Sequence, residues 1–483
     1  MSTTDSTAPN APTTPTGPSV ATAEEYPTFP AGFAFGAATA SYQVEGAHDV
    51  GGRGPSIWDT YCRTPGRVAG GATGDVACDH YHRYPEDVAL LRELGVDDYR
   101  FSIAWPRVQP TGSGPANAAG LAFYDRLVDE LLAAGVRPAA TLYHWDLPQA
   151  LEDRGGWRTR ETAERFAEYT AIVADRLGDR IGRWITLNEP FCAAFVGYAI
   201  GRHAPGAREG RGALAAAHHL LVGHGLAVRA LRAAGESEVG ITLNPDRLLP
   251  ASDSAADLAA VRRAETLHNA VWFDPLFAGR YPEHERETWG ELADGSYRRD
   301  GDLRLIGAPL DFVGVNYYRP ITVAAAPHRE ADPARRTAVD IGAEETWRDD
   351  VRHTTMGWPV VPEAFTELLL DLDRRHPDLP PLYITENGSA EADTVAEDGQ
   401  VHDADRVAYL RDHLAALAEA VRAGVDVRGY YVWSLLDNFE WAFGYDQRFG
   451  IVRVDYDTQE RLPKDSYRWY QGLIRHHRQR HER

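Results

Sequence analysis

The sequence predicts an α/β fold, a single (β/α)8 TIM barrel with long βα loops over the C-terminal face of the strands. Three observations carry this. Eight apolar, strand-like runs alternate with helical patterns. Helix-to-strand connections are short, as in "LGV" at 94–96 and "AGV" at 134–136. Strand-to-helix connections are long: 106–119, 319–362 and 436–463. Long loops therefore gather at one end of the ring, the end that carries catalysis in barrels. A chain of 483 residues suits such a barrel as one unit.

The elements follow in order. Residues 1–26 are rich in Thr, Pro and Ala and lack the basic start and apolar stretch of a signal peptide. A disordered tail is expected there, with the barrel spanning 27–483. Strands are expected at Phe33–Tyr42, Asp98–Ala104, Arg137–His144, Arg183–Asn188, Val239–Asn244, Phe312–Tyr317, Leu382–Thr385 and Arg428–Ser434. The clearest helix lies between the last two. Val407, Leu410, Leu414, Leu417 and Val421 recur there at spacings of three and four. Asp403 or Asp405 can cap its start and Gly424 can end it; other helices end at Gly95, Gly135 and Gly235.

The net charge of −21 disfavours nucleic acid and anionic membranes as partners. No apolar run is long enough to span a bilayer. Cys62, Cys78 and Cys192 form no CxxC pair. Buried free thiols in a reducing, cytoplasmic setting are expected, and neither a zinc site nor a disulfide framework.

Two phrases carry chemistry. "RWITLNEPF" ends its apolar strand at Glu189, and "LYITENGS" ends another at Glu386. One strand-end glutamate more often caps or pairs. Two of them, on the fourth and seventh strands, stand on opposed walls of an eight-stranded ring. Carboxylates about 5 Å apart suit a retaining glycosidase, and a wider gap an inverting one. The flanking Asn188 and Asn387 can bond sugar hydroxyls. Gln43 in "ATASYQVEG" suits adjacent hydroxyls; His144 and Trp145 end the third strand; Trp433, Glu440 and Trp441 follow the eighth. Aromatic faces beside polar groups fit a neutral polyol.

The chain resembles glycoside hydrolase family one, the β-glucosidases and their relatives, from Phe29 to about Arg475. "FAFGAATASYQVEGA", "TLNEP" and "YITENG" are similar to its N-terminal, acid/base and nucleophile motifs. "YRFSIAWPR", "YHWDLP", "GVNYY", "MGW" and "WSLLDNFEW" extend the likeness in the same order. The resemblance implies a retaining β-glycosidase, a β-glucosidase first, without metal or cofactor. It implies that Glu189 is the acid/base and Glu386 the nucleophile, positioned by Arg100 and Tyr318. It places Gln43, His144, Asn188, Glu440 and Trp441 on the hydroxyls of the cleaved sugar, with Trp433 as its platform. Tyr318, Trp145 and Asn316 line the same pocket, and Trp358 faces the leaving group. Expected substrates are small β-glucosides such as cellobiose or aryl glucosides. The choice among glucose, galactose and fucose stays open, as do transglycosylation and assembly into homo-oligomers. A phospho-β-glycosidase is the runner-up, disfavoured because Glu440 would repel a phosphate. A binding barrel without catalysis is the reading from another class.

Overall fold

The computed structural model describes residues 26–326 and 339–482; residues 1–25 of the expected tail lie outside them. Eight strands build the ring: β1 Ala34–Ala38, β2 Asp98–Ser102, β3 Arg137–Tyr143, β4 Arg183–Asn188, β5 Val239–Leu243, β6 Phe312–Asn316, β7 Leu382–Asn387 and β8 Val427–Trp433. They close in chain order, every pair parallel, with Ala38 of β1 level with Trp433 on one side and Arg100 on the other. Helices α1 His80–Leu94, α2 Ala118–Ala133, α3 Arg160–Leu177, α4 Leu214–Ala233, α5 Ala255–Glu265, α6 Pro362–Arg375, α7 Ala404–Arg422 and α8 Asp465–His481 alternate with the strands along the chain.

Helix α7 shows why the pattern works. Leu410, Leu414 and Leu417 are buried, and Gly424 beyond its end has φ of 110°, a conformation that glycine adopts without steric cost. Asp403 does stand at the N-cap, but its side chain makes no capping bond. Its carboxylate instead accepts from Arg406 and from the amide and hydroxyl of Ser466 on α8. The expected first strand is too long. After Ala38 the chain turns, and Gln43 lies on the helical turn Ser41–Val44. The seventh strand is longer than expected and includes Glu386.

The ring's interior is polar as well as apolar. At its base Arg183 donates to Asp98 at 2.8 Å, and the Tyr431 hydroxyl bonds the same carboxylate. Higher up, Thr242 donates to Thr385 at 3.2 Å, and Thr385 donates to the Asn316 carbonyl at 2.8 Å. Arg100 is fully buried above them. Such groups are tolerable inside only when paired, and this stack supports the site at the top.

Candidate active site

Glu386 reaches the interior through an irregularity. Strict alternation would put Thr385 and Glu386 on opposite faces of β7. The β7–β6 register shifts between Ile384 and Glu386, and both side chains face inward. Arg100 Nη1 then donates to Glu386 Oε1 at 2.5 Å, and the Tyr318 hydroxyl donates to Oε2 at 2.7 Å. Arg100 Nη2 donates to Asn188 Oδ1, also at 2.5 Å. One guanidinium thus joins the tops of β2, β4 and β7.

Glu189 stands one residue beyond β4 with φ of 42°. This left-handed conformation is uncommon for a residue with a side chain. It is held by the Glu189 amide donating to the Thr242 carbonyl at 3.0 Å, while the chain turns into the helical segment Cys192–Ala199. Asn316 Nδ2 donates to Glu189 Oε1 at 2.6 Å, and the Cys192 thiol lies 3.2 Å from Oε2.

The two glutamates line one cavity of about 260 Å³. His144, Trp145, Asn316, Tyr318, Trp358, Trp433, Glu440 and Trp441 line it as well. Gln43, Asn188 and Arg100 are fully buried. Gln43 Nε2 donates to Asn438 Oδ1 at 3.0 Å and Phe439 O at 2.8 Å, and lies 3.5 Å from Glu440; its Oε1 has no partner among the described residues. Asn188 Nδ2 donates to His144 Nε2 at 3.1 Å. Asn387 is turned away, donating to Tyr317 O at 2.7 Å and accepting from Tyr430. The rings of Trp433 and Trp441 each stack near His144, at 5.9 Å.

The glycosyl hydrolase family 1 model matches residues 25–479. The chain is 50% identical to thermostable β-glucosidase B of Thermobispora bispora over 92% of its own length and 90% of that relative. It is 47% identical to a bifunctional β-D-glucosidase/β-D-fucosidase of Bifidobacterium breve, over 93% of this chain and 98% of the relative. The crystal structure of psychrophilic β-glucosidase BglU from Micrococcus antarcticus superposes with a TM-score of 0.88 at 48% identity, covering 93% and 98% of the two chains. This chain belongs to glycosyl hydrolase family 1. Its barrel is the family's, and the match spans both strand-end glutamates.

Electrostatics separate the two glutamates of this family 1 chain. Burial and then the Glu386 charge push Glu189 up to about 8, against the bonds from Asn316 and Cys192. Burial also pushes Glu386 up, but Arg100, Tyr318 and Asn316 pull it back. The proton shared by the pair therefore stays on Glu189. Glu440 is pushed up to about 8, by burial first and then by the two other carboxylates. Burial and Arg100 hold His144 far below its ordinary value, so its ring is neutral. Because Asn188 donates to Nε2, the His144 hydrogen sits on Nδ1, which has no partner among the described residues.

The sequence motifs do not include Cys192, Asn244, Asp246, His268, Arg319 or Glu345, which also line the cavity. The last four form two pairs: His268 with Asp246 at 2.7 Å and Arg319 with Glu345 at 2.9 Å. They come from the loops after β5 and β6 and from the following helical segment, whose register no local pattern announces. Only Cys192, three residues beyond Glu189, carried a signal, the spacing of one helical turn.

Proposed function

We propose that the protein is a β-glucosidase that removes terminal non-reducing β-D-glucosyl residues with retention, by double displacement. The observation that carries this is the unequal pair. Glu386 holds a cation and a hydroxyl donor, which favour the carboxylate. Among the described residues Glu189 has only an amide and a thiol as donors at the same cavity, and burial with the neighbouring Glu386 charge keeps its proton on against them.

Glu386 attacks the anomeric carbon while Glu189 delivers its proton to the departing oxygen. The C–O electron pair leaves with the alcohol, and a glycosyl ester remains on Glu386. Esterification removes the Glu386 charge, so Glu189 becomes more acidic. It then takes a proton from water, which attacks the ester and releases the sugar. His144 Nδ1–H, Gln43 Oε1 and Glu440 supply hydroxyl partners; Trp433 and Trp441 supply apolar faces. Glu440 disfavours 6-phosphorylated sugars. Cellobiose and aryl glucosides are the proposed substrates, with fucosides as a secondary glycone by analogy to the Bifidobacterium relative. We take residues 27–483 as one catalytic unit. The acidic surface supports no nucleic-acid partner, and the free cysteines fit a cytoplasmic setting.

Two alanine variants test the roles. Glu386→Ala with azide and an activated β-glucoside should give an α-glucosyl azide by one inversion. Glu189→Ala keeps the nucleophile, so azide should capture the ester and give the β-azide. The same anomer from both, read by anomeric NMR couplings, would sink the assignment.

A further inference from the structure

Each oxygen of Glu189 has a different partner, and the difference has chemical content. Asn316 Nδ2 can only donate: it serves Glu189 Oε1 at 2.6 Å and Asn188 Oδ1 at 3.0 Å. The amide cannot be reversed, because Asn188 Oδ1, which also accepts from Arg100, needs a donor facing it. Oε1 is therefore an acceptor whether Glu189 is charged or neutral. The proton belongs on Oε2, whose neighbour is the Cys192 thiol at 3.2 Å. Cys192 is brought there by the left-handed backbone at Glu189 and by its own amide, which donates to the Glu189 carbonyl at 2.9 Å.

We propose that Cys192 is a positioning residue for proton transfer: it bonds Oε2 of Glu189, the oxygen that gives and takes the proton, and favours the charged form. This rests on the acid/base reading of Glu189. The thiol acts as S–H, because burial and the carboxylates of Glu189, Asp246 and Glu386 hold it well above its usual range. In the acid state, sulfur is a poor acceptor and leaves the Oε2 proton free for the departing oxygen. In the base state, S–H donates to the carboxylate. A hydroxyl here would hold the anion harder, and a methyl would not hold it at all. The other charged groups acting on Glu189 are Glu386 and Arg100; Glu440 and Tyr318 also feel its charge, and His144 and His268 line the same cavity.

The test is a pair of variants with opposite expected signs. Cys192→Val removes the donor and should move the alkaline limb of kcat/KM to higher pH by about half a unit. Cys192→Ser strengthens the donor and should move it to lower pH by a similar amount. A Glu440→Gln background removes the other group near 8, and the two shifts should persist there. Carbon-13 NMR titration of the Glu189 carboxyl should show the same opposite shifts without turnover. Shifts of one sign in both variants, or a changed kcat with neither limb nor carboxyl moved, overturn the proposal. An unmutated protein that hydrolyses no β-glucoside overturns the glycosidase reading instead, and the NMR titration still decides the thiol's hold on Glu189.

Discussion

Arg100 divides its two terminal nitrogens between Glu386 and Asn188, so it bears on the Glu386 charge and the opposite wall together. Arg100→Met should raise the Glu386 pKa, since the cation that pulls it down is gone. The acid limb of kcat/KM should then move to higher pH, and folding stability should drop by about 3 kcal/mol, because a buried carboxylate loses its partner. A pH–rate profile and urea unfolding check both. Glu189→Gln should abolish the alkaline limb and cost poor leaving groups far more than activated phenols; equal losses would remove Glu189 from the acid role. At this scale the sequence was informative where chemistry sits in a motif. Glu189, Glu386, Arg100 and Tyr318 were all legible. Cys192 was expected only as a buried thiol and is in fact half-buried beside Glu189; its contact depends on one left-handed residue, and no side-chain pattern reports that.

Strand β7 shows what patterns miss at the scale of an element. An apolar run located the strand but not its irregularity, so the inward turn of both Thr385 and Glu386 was not readable. Strand positions were recovered because apolar runs reflect burial on both faces. The end of the first strand was missed because the helical turn holding Gln43 is as buried as a strand. Beneath Glu386, Gly314 of β6 faces Thr242 and Thr385. A Cβ there would lie 2.2 Å from Thr242 Oγ1 and 2.7 Å from Thr385 Oγ1. Gly314→Ala should destabilise by about 1–3 kcal/mol, seen as a lower urea midpoint at unchanged slope. It should also lower kcat, since Thr385 orients Asn316.

Across the whole molecule, the barrel was legible from its loop asymmetry, whereas pairings between distant loops were not. Tyr26, the first described residue, packs on Trp469 and His476 of α8 at 5.7 and 5.6 Å. Removing residues 1–23 should therefore leave kcat/KM unchanged; a folded but inactive truncation would show that the tail serves the site. Asp302 ties α3 to α4 through Arg160 and His218. Burial opposes its ionisation, but Arg160, His218 and the Arg299 amide hold it at about 2. Its folded pKa lies below the unfolded value of about 3.9, so its stabilisation is complete above about pH 4 and fades as pH falls towards 2. Asp302→Asn should flatten that part of the acid-unfolding curve. Closure of the ring between β1 and β8 also bears on synthesis. The strand that completes the barrel is the last to leave the ribosome, and the Gln43–Glu440 contact spans 397 positions. Until then β1 offers an open edge, a site for mispairing with other chains. A nascent chain stalled before Glu440 has all eight strands but lacks one wall of the pocket. Hydrolysis then reports that the pocket wall has been made: a ribosome-bound series of increasing length should stay silent until Glu440 and Trp441 have left the ribosome.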